Sequence, residues 1–272
     1  MKKFIFTSLA VLSVALLHAQ LKEGRIIYER TTQLKLSFRN AEAEAMFKDV
    51  PKTQVASFEL LFGNNQSLWQ SLPDVNQEAS QMSGSETGGK SFMIKSFGGD
   101  DVVYHNFGSG KKIVSRELSN KKYIVEDTIA KLTWKMTEES KTFLNYRVMK
   151  ATAQMIAKRT VSTMENGEMK RKEMPDTMQI VAWFTTDIKI PAGPAYQGQL
   201  PGLILELSIN NDQTVYKATE ISPKVTLASI KEPKGGKRIT NAEYVSEMEK
   251  VMEEHRKRLA ENGGRITIPV AQ

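Results

Sequence analysis

The segment from Pro191 to Leu207, PAGPAYQGQLPGLILEL, constrains the backbone of this chain more tightly than any other stretch. Proline restricts φ to about −65°, whereas glycine also adopts left-handed conformations, so the segment predicts a shaped loop. Pro201-Gly202 favours a type II turn with positive φ at Gly202, and the apolar run behind it predicts a buried strand. The residues expected to shape this loop are Pro191, Gly193, Pro194, Gly198, Leu200, Pro201, Gly202, Leu203 and Ile204.

The first residues have the pattern of a secretory signal. Two lysines precede an apolar run from Phe4 to Leu17, and a small residue, Ala19, follows. This order of regions predicts a signal peptide over residues 1–19 with cleavage after Ala19. The apolar run is short for a membrane span and no second run follows, so we expect an exported protein, in the periplasm or at the cell surface, with no transmembrane span after processing.

Composition narrows the possible classes. The chain has no cysteine, so it folds without disulfides, a lipid anchor on cysteine is not expected, and cysteine-based chemistry is excluded. Removal of Lys2 and Lys3 leaves 36 basic and 31 acidic residues, a net charge of about +5 in scattered clusters. Without aromatic residues interleaved among these clusters, no nucleic-acid partner is predicted.

Short apolar segments separated by turn residues recur along most of the chain. They predict strands at 25–38, 55–61, 67–72, 91–97, 102–107, 112–118, 122–127, 132–136, 142–153, 179–184, 203–209, 214–220 and 224–230. A short helix is expected at 40–49. This rhythm is typical of an antiparallel meander. We therefore predict an α+β fold, with a mostly antiparallel curved sheet, half-barrel or bowl-like, in a single domain over residues 20–272.

Three further segments complete the expected architecture. Residues 73–90 are polar and rich in Ser, Gly and Glu, which predicts a mobile loop. Residues 159–177 carry Asn-Gly and mixed charge, which predicts a protruding hairpin or flexible excursion. Thr240 and Glu243 fit a capping box, and apolar residues recur at helical spacing up to Leu259, so we expect an amphipathic C-terminal helix packed on the sheet.

Three segments together resemble a known family. LTWKM at 132–136, AWFTTDIKIPAGP at 182–194 and LPGLI at 200–204 are similar to the GLPGLI family, secreted proteins of the Bacteroidetes whose function is largely unassigned. The resemblance covers about the second half of the chain. It implies an envelope partner, for example a TonB-dependent receptor. Gln199 replaces the glycine that usually heads the motif, and Val148 stands where relatives often carry cysteine.

Candidate catalytic and metal-binding residues are few. His105 and His255 lie outside any recognisable catalytic motif, and both are interpreted as non-catalytic. Six methionines crowd residues 149–178, and thioethers suit Cu(I), although methionine also fills irregular core space. Asp187 is expected in a turn, and Trp134 and Trp183 are expected to anchor the core. No catalytic residue, metal ligand or cofactor is assigned.

These observations favour an exported, non-catalytic binding or accessory protein of the cell envelope. A loop stiffened by three prolines loses little conformational entropy on binding, so Tyr196 and Gln197 are the candidate partner contacts; the alternative for the loop is that its stiffness only fixes a crossover of the core. Two alternatives stay open. One is an exported hydrolase whose carboxylates are distant in sequence, and the other is copper binding by methionine. The oligomeric state is left open.

Overall fold

The computed structural model describes residues 21–33, 52–73, 101–165 and 168–261. Several predicted features lie outside these residues. They are the signal peptide 1–19, the short helix 40–49, all but the first residue of the loop 73–90, and the strand 91–97.

The described residues form one sheet of 12 strands and a long C-terminal helix, α1 (Asn241–Glu261). The strands are β1 (Gly24–Gln33), β2 (Thr53–Gly63), β3 (Gln66–Ser71), β4 (Val102–Asn106), β5 (Lys111–Leu118), β6 (Lys121–Thr128), β7 (Lys135–Phe143), β8 (Tyr146–Glu165), β9 (Glu168–Thr185), β10 (Leu203–Ile209), β11 (Thr214–Ser222) and β12 (Lys237–Thr240). Their order across the sheet is β12-β6-β5-β4-β3-β2-β1-β11-β10-β9-β8-β7. All neighbours are antiparallel except β12 and β6. The predicted α+β class with a curved antiparallel sheet is confirmed, and the sheet does not close into a barrel.

Tight turns with left-handed residues join several neighbouring strands. Asn64 and Asn65, between β2 and β3, have φ of 51° and 60°, the geometry that matches the twist of a hairpin. Leu144 and Asn145 have φ of 48° and 65° and join β7 to β8 in the same way. The predicted single strand over 142–153 is therefore wrong. Leu144 belongs to the apolar pattern but occupies a turn, a position where leucine is unusual.

One row of apolar residues crosses the sheet on the face that we call the loop face. Cross-strand partners share a face, and the row runs Ile26, Leu60, Trp69, Val103, Val114, Val125 and Ile239. Residues 186–202, here called the central loop, cover the part of this face near Ile26 through Ile188, Ile190 and Ala192. Helix α1 covers the other end of the row through Tyr244.

The opposite face is covered by the chain between β11 and β12. Leu61, Leu68, Tyr104 and Ile113 are cross-strand neighbours there, and Val225, Leu227 and Ile230 pack against them. The predicted strand at 224–230 is wrong, because this segment has no strand partner and contains a short 3-10 helix, Leu227–Ser229. Strand β12 was not predicted, since only Ile239 of its four residues is buried.

Helix α1 begins as predicted. The Thr240 backbone N–H donates to Glu243 Oε2 at 2.7 Å, and the Glu243 N–H donates to Thr240 Oγ1 at 3.2 Å. These reciprocal bonds satisfy backbone donors that the first turn leaves open. Tyr244 packs edge-on against Tyr123 of β6, with ring centroids 5.7 Å apart. The prediction of a capped amphipathic helix packed on the sheet is confirmed.

Strands β8 and β9 extend beyond the sheet as a two-stranded ribbon. Strand β7 pairs with β8 as far as Thr152, and β10 pairs with β9 from Ile180 onward. The remaining part, residues 153–165 and 168–179, is called the ribbon below, and its register continues to the pair Glu165 and Glu168. The excursion predicted at 159–177 falls within this ribbon.

Candidate binding surface at an aromatic rim

The central loop depends on glycine in two different ways. Gly193 and Gly198 have φ of 146° and 79°, in the region that favours glycine. Gly202 does not have positive φ, so the type II turn predicted there is wrong. A Cβ on Gly202 would instead lie 2.0 Å from the Thr185 carbonyl oxygen. Glycine is required at this position because the loop passes in contact with the end of β9.

Hydrogen bonds close the loop on itself and tie it to the sheet. The Ile204 N–H donates to the Ala192 carbonyl at 2.9 Å, and the Gly198 N–H donates to the Pro191 carbonyl at 2.6 Å. The hydroxyl of Tyr28 on β1 donates to the Ile204 carbonyl at 2.7 Å, in the core. Burial raises the pKa of Tyr28, so the phenol stays protonated and remains a donor.

Gln197 faces inward and is only 3% exposed. Its Oε1 accepts a hydrogen bond of 2.6 Å from the Ser67 hydroxyl on β3, which ties the loop to a second part of the sheet. The hypothesis that Gln197 contacts a partner is not supported by this position. The amide oxygen of Gln197 already accepts a hydrogen bond inside the protein, and the buried side chain is not accessible to a partner.

His105 lies next to this contact, as the cross-strand partner of Ser67 on one side and Lys112 on the other. It is 3% exposed and stacks on Phe107, with ring centroids 5.9 Å apart. Burial, and secondarily the charge of Lys112, lowers the pKa of His105 to about 3. Its Nδ1 has no hydrogen-bond partner within the described ranges. A neutral, enclosed imidazole of this kind belongs to the scaffold, as the sequence indicated.

Tyr196 is the residue of the central loop that brings an aromatic ring to the surface. Its ring packs edge-on against Trp134, with centroids 5.9 Å apart and planes at 79°, and both side chains are half-buried. Gln199 Oε1 accepts hydrogen bonds from the Trp134 indole N–H and from the Leu132 backbone N–H, both at 3.0 Å. Gln199 thus holds the Trp134 side of the aromatic pair in place.

Methionines extend this aromatic pair into a larger apolar surface. Met136 is 51% exposed and pairs across the strands with Ala151, a member of the buried cluster on which Trp134 and Tyr196 pack. Met155 packs on the same cluster and is the cross-strand partner of Met178. We call this surface the aromatic rim; its residues are Trp134, Met136, Met155, Met178 and Tyr196. Aromatic residues and methionine are enriched where proteins bind one another.

The sequence indicated Tyr196 as a partner contact and Trp134 as a core anchor; Trp134 is instead half-buried at the edge of the cluster, and the methionines of the rim were not identified. Met136 and Met178 are distant from Tyr196 in the chain, and strand pairing sets them opposite Ala151 and Met155, which belong to or pack on one cluster. The alternation of Leu132, Trp134 and Met136 is a signal of a shared face, but it does not say which face is covered.

The remaining candidate residues have structural surroundings. Met149 packs on the same buried cluster as Met155, which accounts for it as core filling. The Asp187 N–H donates to Thr185 Oγ1 at 3.2 Å, so Asp187 lies in a local turn. Trp183 packs against the core, and the Lys141 ammonium lies 4.2 Å from the centre of its ring. Among the described residues, no group of three or more His, Cys, Asp or Glu is placed to hold a metal ion.

An open cleft of about 530 Å³ lies on the opposite face of the sheet. It is lined by Arg25, Leu61, Pro223, Lys224, Val225, Thr226 and Ser229. Paired carboxylates are the signature expected of the hydrolase alternative, and the lining contains neither aspartate nor glutamate. Nothing about this cleft therefore favours that alternative.

Comparisons with known proteins give distant likenesses. No curated protein matches the chain. Structures of PNGF-II in the P21 and C2 space groups are 17% identical, with TM-scores of 0.48 and 0.49. The matched region covers 85% and 84% of this chain but only 34% and 33% of PNGF-II, so the chain spans about a third of that protein. The crystal structure of LprF from Mycobacterium bovis is 7% identical with a TM-score of 0.26, over 80% of this chain and 92% of LprF.

One family match falls on the segments described above. Residues 134–206 match the family described as "Protein of unknown function (Porph_ging)". The match begins at Trp134 of the aromatic rim, includes the central loop, and ends in β10. Within this chain, the matched region therefore contains the whole central loop and all five residues of the rim.

Proposed function

We propose that the protein is an exported, non-catalytic binding protein of the cell envelope, and that the aromatic rim contacts its partner. The observation that carries this proposal is the Trp134–Tyr196 pair, half-exposed and already held in place by Gln199. Large rings that are fixed before binding contribute contact area without a large loss of side-chain entropy. Met136 is 51% exposed and is the cross-strand partner of Ala151, in the cluster on which both rings pack, so it adds exposed apolar area on the same face.

Two sequence features support an envelope location in this proposal. The first is the signal-like segment 1–19, and the second is the resemblance of 132–136, 182–194 and 200–204 to the secreted GLPGLI family. No helix in the described ranges is long and apolar enough to cross a membrane. The partner is proposed as an envelope protein. A TonB-dependent receptor, which the resemblance implied, has no support from the fold or from the comparisons.

Site-specific photo-crosslinking in intact cells tests the rim directly. A photoreactive residue at Met136 is expected to give a discrete adduct with one envelope protein. The same residue at Val245, which is 40% exposed on helix α1, serves as the matched control and is expected to give none. Equal adducts from both positions, or none from Met136, would contradict the proposed binding surface.

A second variant separates binding from stability. Tyr196→Ala removes half of the aromatic pair while leaving Gln199 and Trp134 in place, and we expect it to weaken the Met136 adduct severalfold. The thermal unfolding midpoint of the variant is measured in parallel, since Tyr196 also packs on the core. An unchanged adduct in a folded variant shows that Tyr196 is not part of the contact.

Export and signal-peptide cleavage are tested by a separate measurement. Mass spectrometry of the protein recovered from the envelope fraction is expected to show a mature chain that begins at Gln20. An intact N-terminus, with the protein in the cytoplasmic fraction, would place it in a different compartment and remove the envelope partner from the proposal.

A further inference from the structure

The open cleft on the opposite face of the sheet has the residue types of an anion-binding site. Arg25 of β1 and Leu61 of β2 are cross-strand partners and form one wall of the cleft, and residues 223–229, which follow β11, form the other. The volume of about 530 Å³ is within the range of about 300 to 1,000 Å³ in which proteins bind small molecules. The cleft is therefore large enough for a small organic ligand.

Arg25 is held in a fixed orientation at this cleft. Its Nε donates a hydrogen bond of 2.7 Å to Glu59 Oε2, and Gln70 Nε2 donates one of 2.6 Å to the other carboxylate oxygen, Glu59 Oε1. The Glu59 side chain is 12% exposed and so anchors the pair, whereas the Arg25 side chain is 35% exposed. The Nε group carries only one of the five N–H donors of a guanidinium. A guanidinium fixed in this way can bind an oxyanion through its Nη donors without losing the ion pair.

The wall that follows β11 adds a second cation and two hydroxyl groups. Lys224, Thr226 and Ser229 are exposed and line the same cleft. Thr226 precedes the short 3-10 helix Leu227–Ser229, yet its hydroxyl makes no capping hydrogen bond. Ammonium and hydroxyl groups both donate hydrogen bonds to oxyanions. Every polar side chain in the described lining can therefore act as a donor.

The charges at the cleft favour an anion. The described lining holds two cations, Arg25 and Lys224, against the adjacent carboxylate of Glu59, which leaves one net positive charge. A cleft lined by charges of one sign raises the local concentration of counter-ions. Leu61 and Val225 supply apolar surface in the same cleft. A ligand that matches both features carries an oxyanion on a compact apolar body.

We infer that this cleft binds a small organic anion, with the oxyanion at Arg25 and Lys224 and the apolar body against Leu61 and Val225. A carboxylate and a phosphate monoester share this recognition chemistry, because each offers two oxygens to a guanidinium. The inference does not depend on the proposed function, since none of the residues that line the cleft belongs to the aromatic rim.

A titration followed by NMR tests the class of ligand. Phenylacetate and phenyl phosphate are expected to shift the backbone amide signals of residues 224–229 saturably, and the tighter of the two identifies the oxyanion. Uncharged phenylacetamide is expected to bind at least about tenfold more weakly, because it cannot accept charge-assisted hydrogen bonds. Equal binding of phenylacetamide, or the absence of saturable shifts in residues 224–229 with either anion, would overturn the inference.

Charge variants locate the bound anion. Lys224→Gln changes an exposed side chain and is expected to weaken phenylacetate binding about threefold, as for an exposed ion pair. Lys121→Gln, at an exposed lysine of β6, is the matched control and is expected to leave binding unchanged. Arg25→Lys keeps the charge but removes the planar fork, so we expect a larger loss than for Lys224→Gln, with circular dichroism to check that each variant is folded. Wild-type affinity in Lys224→Gln, or equal losses in the two lysine variants, would refute an anion site in this cleft.

Discussion

The central loop and the ribbon show opposite relations between regular structure and burial. The central loop contains neither helix nor strand, yet Ile188 and Ala192 are fully buried and Gln197 is 3% exposed. The ribbon is regular β-structure along both strands, yet Ile156 is 79% exposed. Hydrogen bonding within an element does not by itself make that element stable, because packing against the rest of the protein supplies most of the free energy.

The difference lies in what each region contacts. The loop is tied to β10 through the hydrogen bond from the Ile204 N–H to the Ala192 carbonyl, to β3 through Ser67 and to the rim through Gln199. Along the ribbon, in the described part of the chain, the strand pairing is between β8 and β9. We therefore expect the loop to open only when the domain unfolds, and the ribbon to open locally at a much lower free energy.

The largest expected effect is a collision in the central loop. Gly202→Ala places a Cβ 2.0 Å from the Thr185 carbonyl oxygen, and the backbone must move to relieve it. We expect a loss of about 3 kcal/mol or more in the free energy of unfolding, measured with urea. Gly235→Ala is the control, since Gly235 has φ of 79° and no atom within 4 Å of its Cβ position. That variant should lose only about 1 kcal/mol, from backbone strain alone. Similar losses in the two variants would refute the close approach.

Acidification is expected to have the next largest effect, through His105 beside the loop. Its pKa is lowered from 6.5 to about 3 by burial, so below pH 6.5 the unfolded chain binds a proton that the native protein excludes. Stability is then fully present above pH 6.5 and falls as the pH falls, by about 2 kcal/mol between about pH 6.5 and pH 5.

The control for this pH dependence is His105→Asn, which cannot titrate in this range. Urea unfolding at several pH values should give a flatter dependence for the variant, even if its stability at pH 7 is lower. If the unfolding free energies of the two proteins depended on pH in the same way, His105 would not remain neutral in the native state.

A smaller effect is expected at the junction of loop and rim. Gln199→Ala removes the acceptor for the Leu132 and Trp134 N–H groups, which should lower the free energy of unfolding by about 1 to 2 kcal/mol. Tryptophan fluorescence should shift to longer wavelength as Trp134 loosens. Gln213→Ala, which removes an amide on the exposed turn after β10, is the control and should leave the fluorescence unchanged. A variant at position 199 with wild-type stability and fluorescence would contradict the anchoring role.

The smallest effect is expected from shortening the ribbon. Replacement of residues 157–176 by Asn-Gly, a sequence suited to a two-residue hairpin turn between the paired residues Ile156 and Thr177, should change the unfolding free energy by less than about 0.5 kcal/mol. A large loss of stability would mean that the ribbon belongs to the cooperative core, and the contrast with the central loop would fail.

The sequence alone determined the features that rest on local signals. Alternating apolar residues with turn residues between them, such as Asn64-Asn65 between the strands predicted at 55–61 and 67–72, indicated the antiparallel sheet. Thr240 and Glu243 marked the start of α1, because a capping box involves groups three residues apart. Each of these signals is complete within a few residues of the chain.

Tertiary structure decided the features that depend on distant partners. The segment 224–230 has the composition of a strand but covers a sheet face. The strands on which it packs, β2 to β6, already have a strand partner on both sides. Gln197 was interpreted as a partner contact on a loop, but its side chain is buried and accepts a hydrogen bond from Ser67, which is 130 residues away in the chain. The rim likewise exists only because Gln199 holds Trp134 beside Tyr196. Periodicity reports which residues can be buried, whereas the contacts between elements determine which residues are buried and which remain available to a partner.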